Sequence, residues 1–178
     1  MPNHVRNVLK FKKLKPEDKT FLLDMICSHR SEAEGTEELP HIDFRKIIPE
    51  PQERSECPED CLVNKDSHIA EYEDRPWFDW YKWHNKYWDT KWNAYDSYTE
   101  LNKSSITFVF NTAWSMPKPI IQRLQVLGYP FEYRWADEDY GHNCGKITWS
   151  SEQGWDEAWE SDAYVDPTRF AIRLWRDY

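Results

Sequence analysis

A chain of 178 residues is long enough to bury a core without disulfide or metal staples, and we expect one domain over residues 1–178. Aromatic residues make up 16% of it, so the core is built from few, large rings, while a formal net charge of −9 opposes direct binding to nucleic-acid phosphates and suits a basic protein groove. Four cysteines, no apolar leader and no run of membrane-spanning length argue against a secreted disulfide scaffold and a membrane protein, which sets the expectation of a reducing cytoplasm.

Val5, Asn7, Leu9 and Phe11 alternate with His4, Arg6, Lys10 and Lys12, the period-two pattern of a strand with one apolar and one basic face. Lys15-Pro16-Glu17-Asp18 opens a helix with proline and acids in its first turn, and Leu22, Met25, Ile26 and His29 form its buried stripe before Gly35. Residues 31–91 read as an insertion. Its first part is acidic and punctuated by Pro40, Pro49, Pro51 and Pro58, with a short extended piece at 42–49. Its second part holds Trp77, Trp80, Tyr81, His84, Tyr87 and Trp88 at helical spacing, a packing stripe on a helix starting near Asp74 and Pro76.

Residues 91–97 alternate as a strand, and 105–113 form the clearest strand of the chain, with Ile106, Phe108 and Phe110 on one face and Thr107, Val109 and Asn111 on the other; a loop at 100–103 joins the two as a hairpin. Ser115 is a natural N-cap for a helix carrying Ile120, Ile121, Leu124 and Leu127 and ending at Gly128 and Pro130. Phe131, Tyr133 and Trp135 begin a second hairpin whose return strand is 144–150. Residues 151–178 form a C-terminal extension in which Asp166-Pro167 opens a helix lined by Phe170, Ala171, Leu174, Trp175 and Tyr178.

Without insertion and extension the order is βαββαβ, an α+β ferredoxin-like antiparallel sheet with helices on one face. Several segments carry a family resemblance: MPNHV at the start, residues 42–49 as a degenerate Phe-Asn-Lys-Ile-Ile-Pro signature, Thr90-Lys91-Trp92-Asn93-Ala94-Tyr95, and Phe110-Asn111-Thr112-Ala113-Trp114-Ser115 before Pro-x-Pro. Together they resemble the YubB ferredoxin-like family of plasmid- and phage-borne bacterial proteins, over about residues 1–150. The chain departs from the pattern in having Asp89 where a glycine precedes the threonine, and in the segment around Cys57 and Cys61. The resemblance implies a bacterial host and a mobile genetic element, and carries no catalytic residues.

The familiar phosphate-loop, serine-hydrolase, zinc-protease and deaminase motifs are missing, so an enzyme is the lesser expectation. His84 and His142 are read as structural histidines, and Cys57, Cys61, His142 and Cys144 as reduced thiols and a histidine rather than a zinc site, because the spacing is wrong for a zinc knuckle. No metal or cofactor is expected. The favoured role is a non-enzymatic interaction protein, an acidic inhibitor of host defence such as CRISPR or restriction machinery, acting on a protein or ribonucleoprotein target. Its expected contact residues are Trp149, Trp155, Asp156, Glu157, Trp159, Glu160 and Asp162, two indoles at i, i+4 within an acidic rim, with packing of those indoles on the sheet as the competing reading. A nucleic-acid-binding ferredoxin-like module, stacking bases on an open sheet face above the basic row of the first strand, is the alternative.

Overall fold

The computed structural model describes residues 3–30, 39–63, 74–159 and 166–178. Its frame is a six-stranded antiparallel sheet in the order β4-β5-β1-β6-β7-β8, formed by β1 (His4–Lys12), β4 (Tyr95–Asn102), β5 (Ser105–Ala113), β6 (Phe131–Asp137), β7 (Cys144–Ser150) and β8 (Gly154–Trp159). The first four of these, β4-β5-β1-β6, have the strand order of a ferredoxin-like βαββαβ unit, with α1 (Pro16–Ile26) and α4 (Lys118–Arg123) as its crossovers. Strands β7 and β8 widen the sheet beyond β6. A two-stranded ribbon, β2 (Cys27–Arg30) with β3 (Leu39–Ile42), stands apart from it, tied to β4 by the Thr99 hydroxyl donating to the Pro40 carbonyl at 2.7 Å.

Alternation along β1 decides which face is which. Val5, Leu9 and Phe11 are buried on the inner face with Phe108, Phe110, Tyr133 and Ile147, and α1 and α4 cover them with Leu22, Ile26, Ile120 and Ile121. Asn7 sits among these apolar groups without exposure because every polar atom is used: its amide donates to Val5 O at 2.7 Å and Thr112 Oγ1 at 2.9 Å, and its oxygen accepts the Tyr133 hydroxyl at 2.5 Å. Gly145 is required by close approach, since a Cβ there would lie 2.5 Å from the Trp135 ring.

On the outer face, the C-terminal helix α5 (Pro167–Asp177) lays Ala171 and Leu174 on Val8, Val109, Ala136 and Cys144. Asp166 caps it through the Arg169 N–H at 2.9 Å, as the Asp-Pro pair predicts. The helix therefore covers the sheet face opposite to α1 and α4.

Four boundaries differ from the sequence reading. The aromatic helix α3 (Trp80–Tyr87) begins at Asp79, which accepts the Lys82 N–H at 3.1 Å, and Trp77 lies in the preceding turn. Helix α1 stops at Ile26, and Met25 is exposed because the stripe of an eleven-residue helix on this sheet is Leu22 and Ile26. The strand read at 91–97 starts at Tyr95, because 90–94 is a bend whose polar groups bind other segments, and its hairpin turns at 103–104. Ser115 does not cap α4, whose N-cap is Pro117; its hydroxyl donates to the Asp89 carbonyl instead.

Candidate functional site

Three of the segments singled out in the sequence meet at one end of the sheet. Asp43 caps the single-turn helix α2 (Phe44–Ile47) by accepting the Arg45 N–H at 2.9 Å, and is itself held by Ser28 at 2.6 Å and Asn93 at 2.7 Å. Burial would push the Asp43 carboxyl up, but the Ser28 and Asn93 hydrogen bonds outweigh it and hold it below the usual range. Asn93 Oδ1 accepts the Phe44 and Ala94 N–H groups at 2.9 and 2.8 Å. Thr90 bridges both backbone groups of Ala113, donating to its carbonyl at 2.9 Å and accepting its N–H at 3.1 Å. Phe44 packs edge-on against both Trp88 and Phe110, with ring centroids 5.7 and 5.8 Å away, and the Trp88 indole donates to Ile48 O at 2.9 Å.

Under this junction lies a buried charge network. Glu50 and His84 are each 3% exposed. Glu50 Oε1 is 2.7 Å from His84 Nε2 and 3.2 Å from Arg45, and Oε2 is 2.9 Å from Arg75. His84 Nδ1 faces the Lys91 carbonyl at 2.9 Å, so both ring contacts are satisfied when both nitrogens carry hydrogen, and the ring stacks on Trp88 at 4.0 Å. Burial raises the Glu50 carboxyl, yet the His84 and Arg75 hydrogen bonds and the Arg45 charge bring it down to about 2. His84 is thus a structural anchor that ties residues 50, 84 and 91 together.

What the junction leaves exposed is aromatic. Trp92 is 37% and Trp114 41% exposed. The Lys91 ammonium stands over both, 4.7 Å from the Trp92 ring and 5.4 Å from that of Trp114, with Tyr81 completing the set at 5.9 Å and packing edge-on to Trp114 at 6.3 Å. Trp114 has φ of 74°, a left-handed backbone that a bulky residue adopts at a cost, and it is pinned there by its N–H on Asn3 O at 2.9 Å and by Asn143 on its carbonyl at 2.8 Å. Sequence reasoning missed this surface, although its tryptophans lie inside two of the four segments that carried the family resemblance.

The expected contact residues are arranged differently. Trp149 stacks on Phe131 at 5.8 Å and Trp155 meets Phe131 edge-on at 6.5 Å, both half-buried against the inner core. The Trp155 indole donates to Glu157 Oε2 at 3.0 Å, and Glu157 Oε1 pairs with Lys118 at 2.8 Å. Because 154–159 is a strand, Asp156 belongs to the opposite face from Trp155 and is exposed there, across from Thr148. Trp159 pairs along the backbone with Gly145, and Glu160 and Asp162 lie outside the described residues.

Cys57 and Cys61 are buried in the inner core, while Cys144 lies under α5 on the outer face and His142 is exposed in the β6–β7 turn. The four do not converge into one donor set, and no cluster of three or more metal-ligating side chains occurs among the described residues. Burial pushes the Cys27 thiol up to about 12 and Cys61 to about 11, and also raises Cys57, away from the reactive thiolate. No helix among the described residues is long and apolar enough to cross a membrane.

Sheet order and crossovers define a ferredoxin-like α+β protein. A family described as "Ferredoxin-like domain in Api92-like protein" matches residues 87–166, from the last residue of α3 through β8 to the cap of α5. The match supports a ferredoxin-like family; the YubB name and a plasmid or phage origin are not part of it. No curated protein matches the chain, and no solved structure does.

Proposed function

We propose that this chain is a non-enzymatic binding module that docks on a protein or ribonucleoprotein through the Trp92–Lys91–Trp114 surface. The observation that carries the reading is the pair of exposed indoles flanking one lysine, with the Lys91 backbone held by His84, the Trp114 backbone held by Asn3 and Asn143, and Trp114 in a strained conformation. Large aromatic groups fixed before binding cost little further entropy on association, which is the composition of an interface hot spot. The net charge of −9 supports a basic partner groove, and with the resemblance to plasmid- and phage-borne proteins it supports the finer reading of an inhibitor of host CRISPR or restriction machinery in the bacterial cytoplasm. Asp156 and Glu157 would then add acidic contacts away from the indoles.

The test is capture from bacterial lysate with the captured protein identified, then direct titration of that protein. The reading expects a nucleic-acid-binding protein whose affinity falls with salt and with competing DNA or RNA, and falls about a hundredfold or more in Trp92→Ala with Trp114→Ala at unchanged folding. Asp156→Lys with Glu160→Lys is expected to weaken it about tenfold. Retention of full affinity by the double tryptophan variant overturns the reading.

A further inference from the structure

Counted along the chain, the positive charges look scattered in an acidic protein; the sheet gathers some of them. The basic row of β1 is divided by α5. Arg6 is taken up in packing, its guanidinium 4.7 Å from the centroid of the Trp175 ring and donating to Tyr178 O at 3.1 Å, whereas Lys10 and Lys12 lie on the part of the outer face beyond the helix. Cross-strand register sets Lys10 beside Glu132, and Arg134 beside Lys146. Glu132 then receives three cations at once: Lys12 at 3.0 Å, Lys146 at 3.3 Å and Arg134 at 3.4 Å. One carboxylate for three cations leaves positive charge uncompensated, and Lys10 and Lys13 add two ammonium groups with no ion-pair partner among the described residues. At the end of this strip a cleft of about 490 Å³ is lined by Lys12, Lys13, Glu132, Trp149, Ser150 and Glu152 among others.

We propose that this open half of the outer face is a binding site for single-stranded nucleic acid, held by its phosphates on Lys10, Lys12, Lys13 and Lys146, with a base entering the cleft at the strand ends, which Trp149 lines from the inner-face side. Glu132 positions the cations, so an incoming phosphate meets side chains already directed by a shared carboxylate. Acids bound the strip on both sides, Glu100 across from Thr107 and Asp156 across from Thr148. The cation-bearing strands β1, β6 and β7 span about 10 Å, while the two acids stand five strand spacings, about 24 Å, apart. A strip this narrow takes one phosphate backbone; the second backbone of a duplex, across a major groove of about 12 Å, would fall beyond the lysines. The site lies at the far end of β1 from Trp114, about 26 Å away by strand rise, so it stands independently of the docking surface proposed above.

The experiment is fluorescence anisotropy of labelled twelve-nucleotide RNA and DNA single strands with the full chain at 50 mM salt. Saturable binding is expected. With about three phosphates neutralised it should weaken roughly tenfold to twentyfold between 50 and 200 mM salt. Lys12→Glu with Lys146→Glu is expected to lower affinity at least twentyfold, and Lys10→Ala with Lys13→Ala, which breaks no ion pair among the described residues, about fivefold. Lys86→Glu, whose lysine pairs with Asp60 elsewhere, and the Trp92/Trp114 variant should bind as the parent does. Three results would each overturn the proposal: no saturation at 100 µM protein, unchanged binding by both lysine pairs, or displacement of the strand by polyglutamate at equal charge, which would reassign the face to acidic peptides.

Discussion

The two faces of the sheet are closed by different means. The inner face is sealed by rings, with Phe11, Phe44, Phe108, Phe110, Trp88 and Tyr133 buried together under several helices, and its polar groups, Asn7, Glu50 and His84, each have partners within the layer. Among the described residues the outer face has one helix, whose Ala171 and Leu174 rest on small and branched residues, Val8, Val109 and Ala136. Beyond that helix the face is polar and charged. The difference assigns the two faces different work, since the inner face supplies most of the buried apolar area and so most of the stability, while the outer one trades packing for accessible surface.

Breaking the ring layer should have the largest effect. Trp88→Ala removes a fully buried indole that touches Phe44, Trp83 and His84 and donates to Ile48, and should cost about 3–5 kcal/mol in denaturant unfolding. A loss below about 1 kcal/mol would mean that the insertion is not integral to the core.

Glu50→Gln comes next, at about 3 kcal/mol near neutral pH, because it leaves Arg75 and His84 without their carboxylate. Its pH dependence is a sharper check. The folded value of about 2 lies below the ordinary 4.5, so the folded state binds fewer protons in that window; the carboxylate's contribution is complete above about pH 4.5 and is lost as pH falls toward 2. The gap between parent and Gln variant in urea midpoints should therefore narrow as pH drops from 5 to 3, and a constant gap would rule out this role for Glu50.

Leu174→Ala tests the outer face and should cost the least, about 2 kcal/mol. Its signature is local. Hydrogen exchange should quicken in α5 while amides of β1 and β5 keep their protection, and equal loss in all three would show the two faces to be one cooperative layer.

Much of the frame was legible because its strands alternate cleanly. Val5, Leu9 and Phe11 on β1, and Phe131, Tyr133 and Trp135 on β6, mark their faces without help from tertiary context. The stripe of α5 was equally clear, yet an amphipathic helix does not state which face of a sheet it will cover. The spacing of Trp155 and Trp159 does not decide between helix and strand, because four residues return to the same face of either; Gly154, at φ of 73°, is the better sign, marking a hairpin turn after β7. The partnership of Glu50 with His84 left no local trace, since 34 residues separate them, although a histidine on an aromatic stripe needs an acceptor from somewhere. The Lys91 surface was missed because its rings come from three segments that only the fold unites.

Strand β1 stands at the centre of the sheet, yet its two neighbours arrive late. Val5 pairs with Thr112 on one side and Asp137 on the other. At roughly 5–20 residues per second, the ribosome needs on the order of 5–20 seconds to deliver β5 after β1 has been made. Through that interval Val5, Leu9 and Phe11 form an apolar ribbon whose backbone hydrogen bonds have no native strand to join. Early closure must then rest on α1, the nearest element in sequence, and the basic groups alternating with that apolar row help keep the waiting strand apart from others of its kind.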